Sequence, residues 1–388
     1  MKAGRWIISG IVVIACVLIW FVQKNHIAGS APAHSDVNLG DLDGDGDIDV
    51  LFTLAGNAST IWINQGGLQG NIQGKFTASL QRIGNQDSRF SAMGDLDGDG
   101  DLDILIGLNQ GFDFYVNSGG PQGGWKGNFE LQSQTEVHQA NSRFMQFQLG
   151  DLDSDGDLDA IFPACCRNSR GFSIWINDGS GEFTQLDQYA ENLEVRQIDL
   201  GDLDGDRDLD IWIVPAEHEQ VSDDPEQPMF TDQLWINDGS GHFHDRPERL
   251  GKSSVVGLGD LDGDGDLDAG TASDAGLTIW INDGIGHFNI QSVAANPLPA
   301  QTLLLGDLDQ DHDLDILIST DDQAEVWLND GLGTFELSAQ KIALPGNSAL
   351  ALGDLDGDLD LDLFCGFSEN RYRVWWNDGY GRLGLSWR

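Results

Sequence analysis

The chain is short of positive charge, proline and helical periodicity. It has 388 residues, with 20 lysines and arginines against 64 aspartates and glutamates, and a formal net charge of −44. This balance excludes electrostatic binding to nucleic acid or to anionic membrane surfaces. Hydrophobic residues make up 40% of the chain, which is enough for a folded core and argues against disorder. The 50 glycines beside only 10 prolines indicate many tight turns.

Cysteine is also scarce. Of the 4 cysteines, Cys16 lies in an N-terminal apolar segment, which leaves Cys165, Cys166 and Cys365. Their odd number excludes a disulfide framework. The adjacent Cys165 and Cys166 either form a vicinal disulfide or are two thiols in a loop.

Long apolar runs are absent except at the N-terminus. Lys2 and Arg5 precede an apolar stretch at residues 6–22, the pattern of an export signal. We therefore predict that residues 1–34 are a signal peptide or signal-anchor helix with a short linker. Residues 35–388 would then form a globular domain on the extracytoplasmic side, in contact with the membrane only through the N-terminal segment.

Three fates of this segment are open. It is long for a signal peptide and close to the lower limit for a membrane span, so it can stay as an anchor. Small residues before Ser30 and Ala33 offer cleavage sites, which would release a secreted protein. The residues ending at Cys16 resemble a lipidation site, although the apolar run continues beyond them.

From residue 35 onward, one unit recurs seven times. Each unit contains Gly-Asp-Leu-Asp and, further on, Trp-x-Asn or Tyr-x-Asn, which in most cases continues as Asp-Gly-x-Gly-x-Phe. The first aspartates of successive units lie 47 to 58 residues apart. A repeat of about fifty residues indicates a propeller, a solenoid or a linear array.

The fifth unit reads as four short strands. Residues 254–258, 267–271 and 277–282 are apolar or alternating, and residues 287–293 follow the glycine turn at 283–286. No 3.6-residue period appears beyond the N-terminus. Four strands repeated seven times predict an all-β fold, a seven-bladed β-propeller of four-stranded antiparallel blades, preceded by an N-terminal apolar helix.

The order of strands leaves ring closure open. Because counting from residue 35 starts each unit at its first strand, the last blade either lacks a strand or completes itself with residues 384–388. In both cases closure rests on packing between the first and last blades.

Each unit carries five aspartates at alternate positions of a nine-residue loop. Calcium loops place oxygen ligands at positions 1, 3 and 5, a main-chain carbonyl at 7 and a carboxylate at 9, with glycine at 6 for the turn. A solvated acidic turn without metal is the alternative, but five clustered carboxylates without a counter-ion repel each other. We therefore predict up to seven Ca²⁺ ions, with Mg²⁺ disfavoured by its strict octahedral geometry. The predicted metal-site residues are Asp41, Asp43, Asp45, Asp47 and Asp49; Asp95, Asp97, Asp99, Asp101 and Asp103; Asp151, Asp153, Asp155, Asp157 and Asp159; Asp202, Asp204, Asp206, Asp208 and Asp210; Asp260, Asp262, Asp264, Asp266 and Asp268; Asp307, Asp309, Asp311, Asp313 and Asp315; and Asp354, Asp356, Asp358, Asp360 and Asp362.

Three loops depart from the pattern at position 6, which is Arg207 in the fourth loop, His312 in the sixth and Leu359 in the seventh. A side chain there costs about 1 kcal/mol or more if the backbone is left-handed. We expect these loops to bind calcium more weakly than the other four. They begin at Asp202, Asp307 and Asp354.

The acidic loops and the Trp-x-Asn-Asp-Gly-x-Gly-x-Phe turns resemble FG-GAP/VCBS-type repeats, as in integrin-α-like propellers and many exported bacterial proteins. The resemblance covers residues 35–388. It implies a propeller with calcium in the loops between first and second strands, all on one face. It does not imply a reaction, because the family includes adhesion proteins, carbohydrate-binding proteins and lyase-like enzymes.

The sequence contains no nucleophile elbow, zinc-protease helix or nucleotide-binding glycine loop. The recurring tryptophans are expected in the core between blades rather than on a sugar-binding surface. The longest irregular loops are residues 163–173, with Arg167, and 215–233, with His218. Arginines there and between blades either bind an acidic ligand or pair with local carboxylates. The arginines between blades are Arg89 and Arg143, and Arg196 occupies a similar position between blades.

Three functions are consistent with these features. The first is a non-catalytic, calcium-binding module, for example in adhesion, for a protein or glycan partner. The second is a polysaccharide-active, lyase-like enzyme that uses His218, Arg143 and Arg167 on the face opposite the calcium loops. The third is a structural scaffold. The seven loops hold 35 of the 64 acidic residues, so the net charge mainly reflects metal sites and does not identify a partner.

Overall fold

The structure is a computed structural model. It describes residues 35–66, 74–109, 111–119, 127–135, 143–144, 146–165, 171–188, 190, 193–216, 231–294, 299–346, 348–368 and 371–384. The predicted N-terminal helix and the domain boundary after residue 34 depend on residues outside these ranges and stay predictions. Among the residues described, no helix is long and apolar enough to cross a membrane.

Strands are the only regular secondary structure of the described residues. They are grouped into seven antiparallel sheets that follow one another along the chain. The prediction of a seven-bladed, all-β propeller is confirmed. The strands of the first four blades are β1 (Ser35–Gly40), β2 (Asp49–Leu54), β3 (Ser59–Asn64), β4 (Phe76–Ile83), β5 (Ser88–Gly94), β6 (Asp103–Leu108), β7 (Gly111–Asn117), β8 (Phe129–Thr135), β9 (Arg143–Phe144), β10 (Gln148–Gly150), β11 (Asp159–Cys165), β12 (Phe172–Asn177), β13 (Phe183–Gln185), β14 (Val195–Gly201), β15 (Asp210–Pro215), β16 (Gln233–Asn237) and β17 (Phe243–Arg249). The strands of the last three blades are β18 (Val255–Gly259), β19 (Asp268–Ser273), β20 (Gly276–Asn282), β21 (Phe288–Ala294), β22 (Thr302–Gly306), β23 (Asp315–Ser319), β24 (Gln323–Asn329), β25 (Phe335–Ala343), β26 (Ala349–Gly353), β27 (Asp362–Ser368) and β28 (Arg371–Trp375).

Five blades are plain four-stranded meanders, and the third and seventh differ. In the third blade the first strand is split, because β9 and β10 both pair with β11. In the seventh blade β26, β27 and β28 form a three-stranded sheet. An isolated bridge between Trp376 and Gly384 stands at the place of a fourth strand. The predicted final strand at residues 384–388 stays a prediction, because residues 385–388 lie outside the described part.

Burial falls from the inner strands to the outer ones. The second strands β2 and β15 are apolar and almost wholly buried, because both of their faces pack against neighbouring blades. The fourth strands β4 and β8 are exposed or half-buried at most positions. This gradient is expected for blades arranged radially, with their first strands innermost.

The core lies between the blades, as predicted for the recurring tryptophans. Trp175 of the third blade meets Phe112 of the second edge-on, with ring centroids 5.2 Å apart. Trp62 of the first blade meets Phe364 of the seventh in the same manner at 6.1 Å. The first and last blades are therefore packed against each other in the same way as neighbours along the chain.

Candidate metal centre

The seven acidic loops connect the first strand of each blade to the second. The Asn-Asp-Gly turns connect the third strand to the fourth, so both sets lie at the same end of the blades. In the first five loops, three carboxylates each offer an oxygen within 4.8 Å of the others. These groups are Asp41, Asp43 and Asp45; Asp95, Asp97 and Asp99; Asp151, Asp153 and Asp159; Asp202, Asp204 and Asp206; and Asp260, Asp262 and Asp268.

The aspartate at position 1 shapes the loop around itself. In the first loop the backbone nitrogens of Gly44, Asp45 and Gly46 donate to the carboxylate of Asp41 over 2.6, 3.0 and 2.9 Å. The bond from position 6 recurs in all seven loops, at 2.9 to 3.1 Å. This curl turns the odd-numbered side chains toward a common point.

The aspartate at position 9 anchors the loop to the blade. In the fourth blade, Asp210 accepts hydrogen bonds from the backbone nitrogens of Asn237, at 2.8 Å, and Leu203, at 2.9 Å. The same two bonds occur in every blade. The calcium-loop pattern predicts position 9 as a ligand, and in the third and fifth loops it does lie in the carboxylate group. Its anchoring role was not predicted.

Burial raises the pKa of these position-9 carboxyl groups in the ion-free protein. The pKa of Asp268 rises to about 6, and those of Asp49 and Asp362 rise to about 8. The two backbone N–H bonds act against this shift, since they favour the ionised form, but burial outweighs them. A cation beside such a group would remove the penalty of ionising it.

At position 3 of four loops, one carboxylate oxygen is buried without a hydrogen-bond partner. The Oδ1 atoms of Asp153, Asp204, Asp309 and Asp356 are buried and have no hydrogen-bond partner. Burial raises the pKa of each of these groups, and the neighbouring aspartates raise it further. A buried carboxylate oxygen without a partner is costly, and a hard cation is the partner that suits it. The residues present therefore fit a bound divalent ion.

Position 7 differs from positions 1, 3 and 5. A methyl group built on the turn glycine Gly179 would lie 2.3 Å from Oδ2 of Asp157, and one on Gly284 would lie 2.4 Å from Oδ2 of Asp266. The position-7 side chain thus rests against the turn of its own blade. This placement agrees with the calcium-loop pattern, in which position 7 supplies its main-chain carbonyl.

All three exceptional residues at position 6 have a left-handed backbone. Their φ angles are 81° for Arg207, 77° for His312 and 73° for Leu359, against 91° to 99° for the glycines at the same position. Two further left-handed residues, Ser154 and Gln310 at position 4, were not foreseen. The bonds from position 6 to position 1 and from position 7 to position 5 nevertheless occur in all seven loops. Weaker calcium binding in three of the loops stays a prediction.

The asparagine of each Trp-x-Asn motif links two acidic loops. Asn177 donates from Nδ2 to the carbonyl oxygen of Leu158 in its own loop, at 3.2 Å. It also donates to that of Leu96 in the preceding loop, at 2.9 Å. This pair of bonds recurs at Asn64, Asn117, Asn237, Asn282, Asn329 and Asn377. The sequence pattern did not predict this ring of asparagines.

Outside the metal loops, few of the suggested polar residues can be placed. Arg89 donates from Nε to Asn109 at 2.8 Å, and Asn109 donates to Asp87 at 2.8 Å, so this arginine belongs to a local polar chain. His218, Arg167, Cys166 and the side chain of Arg143 lie outside the described part of the chain. Cys365 is a buried free thiol, and burial raises its pKa to about 11.

The chain matches a known family of repeats. The family described as FG-GAP-like repeat matches residues 41–106, 95–162, 260–318 and 307–365, together more than half of the chain. The resemblance noted in the sequence is thus confirmed. No curated protein matches the chain.

Several solved structures share the fold at low identity. A lectin from Agrocybe aegerita, solved for its recognition of non-reducing terminal N-acetylglucosamine, is 19% identical with a TM-score of 0.56, covering 92% of this chain and 90% of its own. BBS1N in complex with ARL6DN is 11% identical with a TM-score of 0.57, covering 92% and 96%. Rhamnogalacturonan lyase YesW is 15% identical with a TM-score of 0.51, covering 91% and 74%. At these identities the likeness concerns the fold alone.

Proposed function

Because the chain belongs to the family of FG-GAP-like repeat proteins, we propose that it is a calcium-stabilised propeller that acts as a non-catalytic binding module for a protein or glycan partner. The module is exported and either tethered to the membrane by its N-terminal segment or secreted. The observation that carries the metal assignment is the set of buried, partnerless carboxylate oxygens at position 3 of four loops.

Calcium suits these loops better than other common ions. Every candidate ligand is a carboxylate or main-chain oxygen, and the loops offer no cysteine. Ca²⁺ takes six to eight such oxygens in a flexible shell, whereas Zn²⁺ prefers nitrogen and sulfur ligands. Calcium would offset the mutual repulsion of the loop carboxylates, and the protein would be more stable with it than without.

Partner binding is supported by what surrounds the metal loops. Each blade is tied to the next by packing and by backbone-directed hydrogen bonds, which makes the face of the ring a rigid platform for a ligand. Solved structures of the same fold include a lectin and a propeller bound to a protein, so both ligand classes are compatible with it.

Calorimetry on chelator-stripped protein tests the calcium assignment. We expect binding of up to seven Ca²⁺ ions and a rise in melting temperature on adding calcium, with a much smaller rise for Mg²⁺. Asp153→Asn should remove one ion from the stoichiometry. Asp178→Asn, at an exposed turn in the same blade, should leave it unchanged. Absence of both binding heat and thermal stabilisation would contradict the proposal.

A glycan screen separates binding from catalysis. The best polyanionic glycan from an array is incubated with the calcium-loaded protein, and binding without product formation is the expected result. Product formation would instead favour the lyase-like alternative, which depends on His218, Arg143 and Arg167 and stays a prediction. Mass measurement of the native N-terminus distinguishes retention, cleavage and lipidation of the exported segment.

A further inference from the structure

The fifth, sixth and seventh blades differ from the third and fourth at the surface of the metal-loop face. The third residue of the Asp-Gly-x-Gly turn is Ile285, Leu332 and Tyr380 in these three blades, and their exposed fractions are 57%, 66% and 77%. In the third and fourth blades the same position holds Ser180 and Ser240. On the metal-loop face, this turn position is thus apolar in three consecutive blades and polar in the two before them.

The turns do not require these apolar side chains. The backbone nitrogen of Leu332 donates to Asp330 at 3.0 Å, and that of Tyr380 donates to Asp378 at 3.1 Å. Ser180 makes the same bond to Asp178 at 3.0 Å. Because the turn has the same hydrogen bond with either kind of side chain, the exposed apolar groups add nothing to its formation.

Leu359 adds a fourth apolar side chain to this arc at a cost to the fold. It is 84% exposed, so it gains almost no burial energy, and its φ of 73° is unfavourable for any residue but glycine. At the same position in another loop, a methyl group on Gly265 would meet nothing within 4 Å, so a side chain here projects into solvent. Backbone strain without a packing benefit is a mark of a functional position.

The members of the arc lie beside the acidic loops and, in the seventh blade, beside each other. Gln310 of the sixth loop donates to the carbonyl oxygen of Leu359 at 3.2 Å. Its Oε1 atom would lie 3.3 Å from a methyl group on Gly379, the neighbour of Tyr380. Leu359 and the turn of Tyr380 therefore flank one side chain. The turn of Leu332 lies against the fifth loop, where Gly331 O would be 3.4 Å from a methyl group on Gly263.

The negative charge around the arc favours a partner with a positively charged surface. The three acidic loops of blades five to seven contribute fifteen aspartates, and the turns add Asp283, Asp330 and Asp378. Three bound Ca²⁺ ions would neutralise only six of these charges. Arg382 is the single lysine or arginine within these loops and turns, and Arg246 of the fourth blade donates from Nη1 to the carbonyl oxygen of Ile285 at 3.2 Å. Acidic charge therefore remains in large excess around the arc. A second copy of this chain, with its net charge of −44, would be repelled from such a surface.

We propose that the arc formed by Ile285, Leu332, Leu359 and Tyr380 is the docking surface for a protein partner that presents apolar side chains among lysines and arginines. This inference rests on the proposed function, since it names the face and partner chemistry of the binding module. Apolar contacts of the partner would cover the exposed side chains, and its cations would meet the acidic loops around them. The surface is the metal-loop face, not the opposite face on which the lyase-like alternative depends.

Surface plasmon resonance with synthetic peptides tests the arc. Three peptides of equal length, built from lysine and leucine, lysine and serine, or glutamate and leucine, are passed over the calcium-loaded protein at about 0.15 M salt. We expect the lysine–leucine peptide to bind most tightly and the glutamate–leucine peptide not to bind. The fourfold variant Ile285→Ser, Leu332→Ser, Tyr380→Ser, Leu359→Gly copies residues that other blades carry at these positions, and it should weaken that binding by about tenfold or more.

A matched control removes exposed leucines elsewhere. Leu80→Ser with Leu131→Ser, on the fourth strands of the first two blades, should leave peptide binding unchanged. The proposal is overturned if no peptide binds, if the fourfold variant binds like the wild type, or if lysine–serine binds as tightly as lysine–leucine. Saturable binding to phosphatidylcholine vesicles that only the fourfold variant loses would assign the arc to lipid and also overturn it.

Calcium calorimetry and peptide binding on a threefold variant, Ile285→Ser with Leu332→Ser and Tyr380→Ser, separate this inference from the proposed function, because this variant leaves every metal loop unaltered. An unchanged calcium stoichiometry with lost peptide binding supports the arc. Unchanged peptide binding in the variant, with normal calcium binding, overturns the arc and leaves the calcium module intact. A wild-type protein that binds peptide but no calcium contradicts the module while keeping the arc.

Discussion

Asn64 donates from its side-chain amide to the carbonyl oxygen of Leu355 over 3.0 Å, which joins the first blade to the seventh. The same amide donates to the carbonyl of Ile48 in its own acidic loop at 3.1 Å. Leu355 lies between two predicted metal ligands of the seventh loop. The ring of asparagines therefore closes the propeller and at the same time sets the spacing between neighbouring metal loops.

Removing one asparagine of this ring should destabilise the protein equally whether the asparagine joins the first and last blades or two blades that are consecutive in the chain. Asn64→Ala and Asn282→Ala each delete two bonds from Nδ2 and one bond to Oδ1 from the following turn. Because buried backbone groups lose their partners, we expect each variant to lose about 2 kcal/mol of unfolding free energy. Chemical denaturation of the calcium-loaded protein measures it.

The exposed Asn289, on the fourth strand of the fifth blade, supplies the control. Asn289→Ala should change the unfolding free energy by less than about 0.5 kcal/mol. If Asn282→Ala is costly and Asn64→Ala is harmless, the first and last blades are not held together by this contact.

The left-handed position 6 predicts opposite effects for two reciprocal substitutions. Leu359→Gly relieves a φ of 73° and should raise the unfolding free energy by about 1 kcal/mol in the absence of calcium. Gly265→Leu places a side chain where φ is 96° and space is open, so only the backbone cost applies and stability should fall by a similar amount. Thermal unfolding of the two variants in chelator measures the sign of the stability change in each. Equal effects of the same sign would refute the backbone explanation.

Much of the fold could be predicted because the sequence pattern of each strand and turn occurs seven times. In the fifth blade the predicted strands at residues 254–258 and 277–282 overlap β18 and β20, with boundaries off by at most one residue. Period-two alternation and glycine turns are local features, and the seven copies settle an ambiguity that one copy would leave.

The anchoring role of position 9 and the asparagine ring could not be predicted. The bond from Asn64 to Leu355 joins residues 291 positions apart, and nothing local in the sequence distinguishes it from a hairpin contact. Position 9 looks like any other ligand aspartate, yet Asp49 and its equivalents are fully buried and hold two backbone N–H groups. These roles follow only from how one blade lies against the next.

The position-9 carboxyl groups predict that acid stabilises the ion-free protein. Burial raises their pKa from 3.8 to between about 6 and about 8 in the folded chain. A group with a raised folded pKa binds its proton more tightly when folded, so its contribution is complete below the unfolded pKa and is lost as pH rises through the folded one. In chelator, the melting temperature should fall as the pH rises from about 4 to about 8.

Bound calcium should stabilise the folded protein more strongly as the pH rises, because its ligands must be ionised. The rise in melting temperature on adding calcium should therefore be larger at about pH 8.5 than at about pH 5.5, as measured by scanning calorimetry at both values. Asp362→Asn removes one raised carboxyl and should make the pH slope in chelator shallower, even if the variant is less stable overall. Asp178→Asn, at an exposed turn, should leave the slope unchanged. A melting temperature in chelator that rises with pH would show that the backbone N–H bonds, and not burial, dominate at position 9.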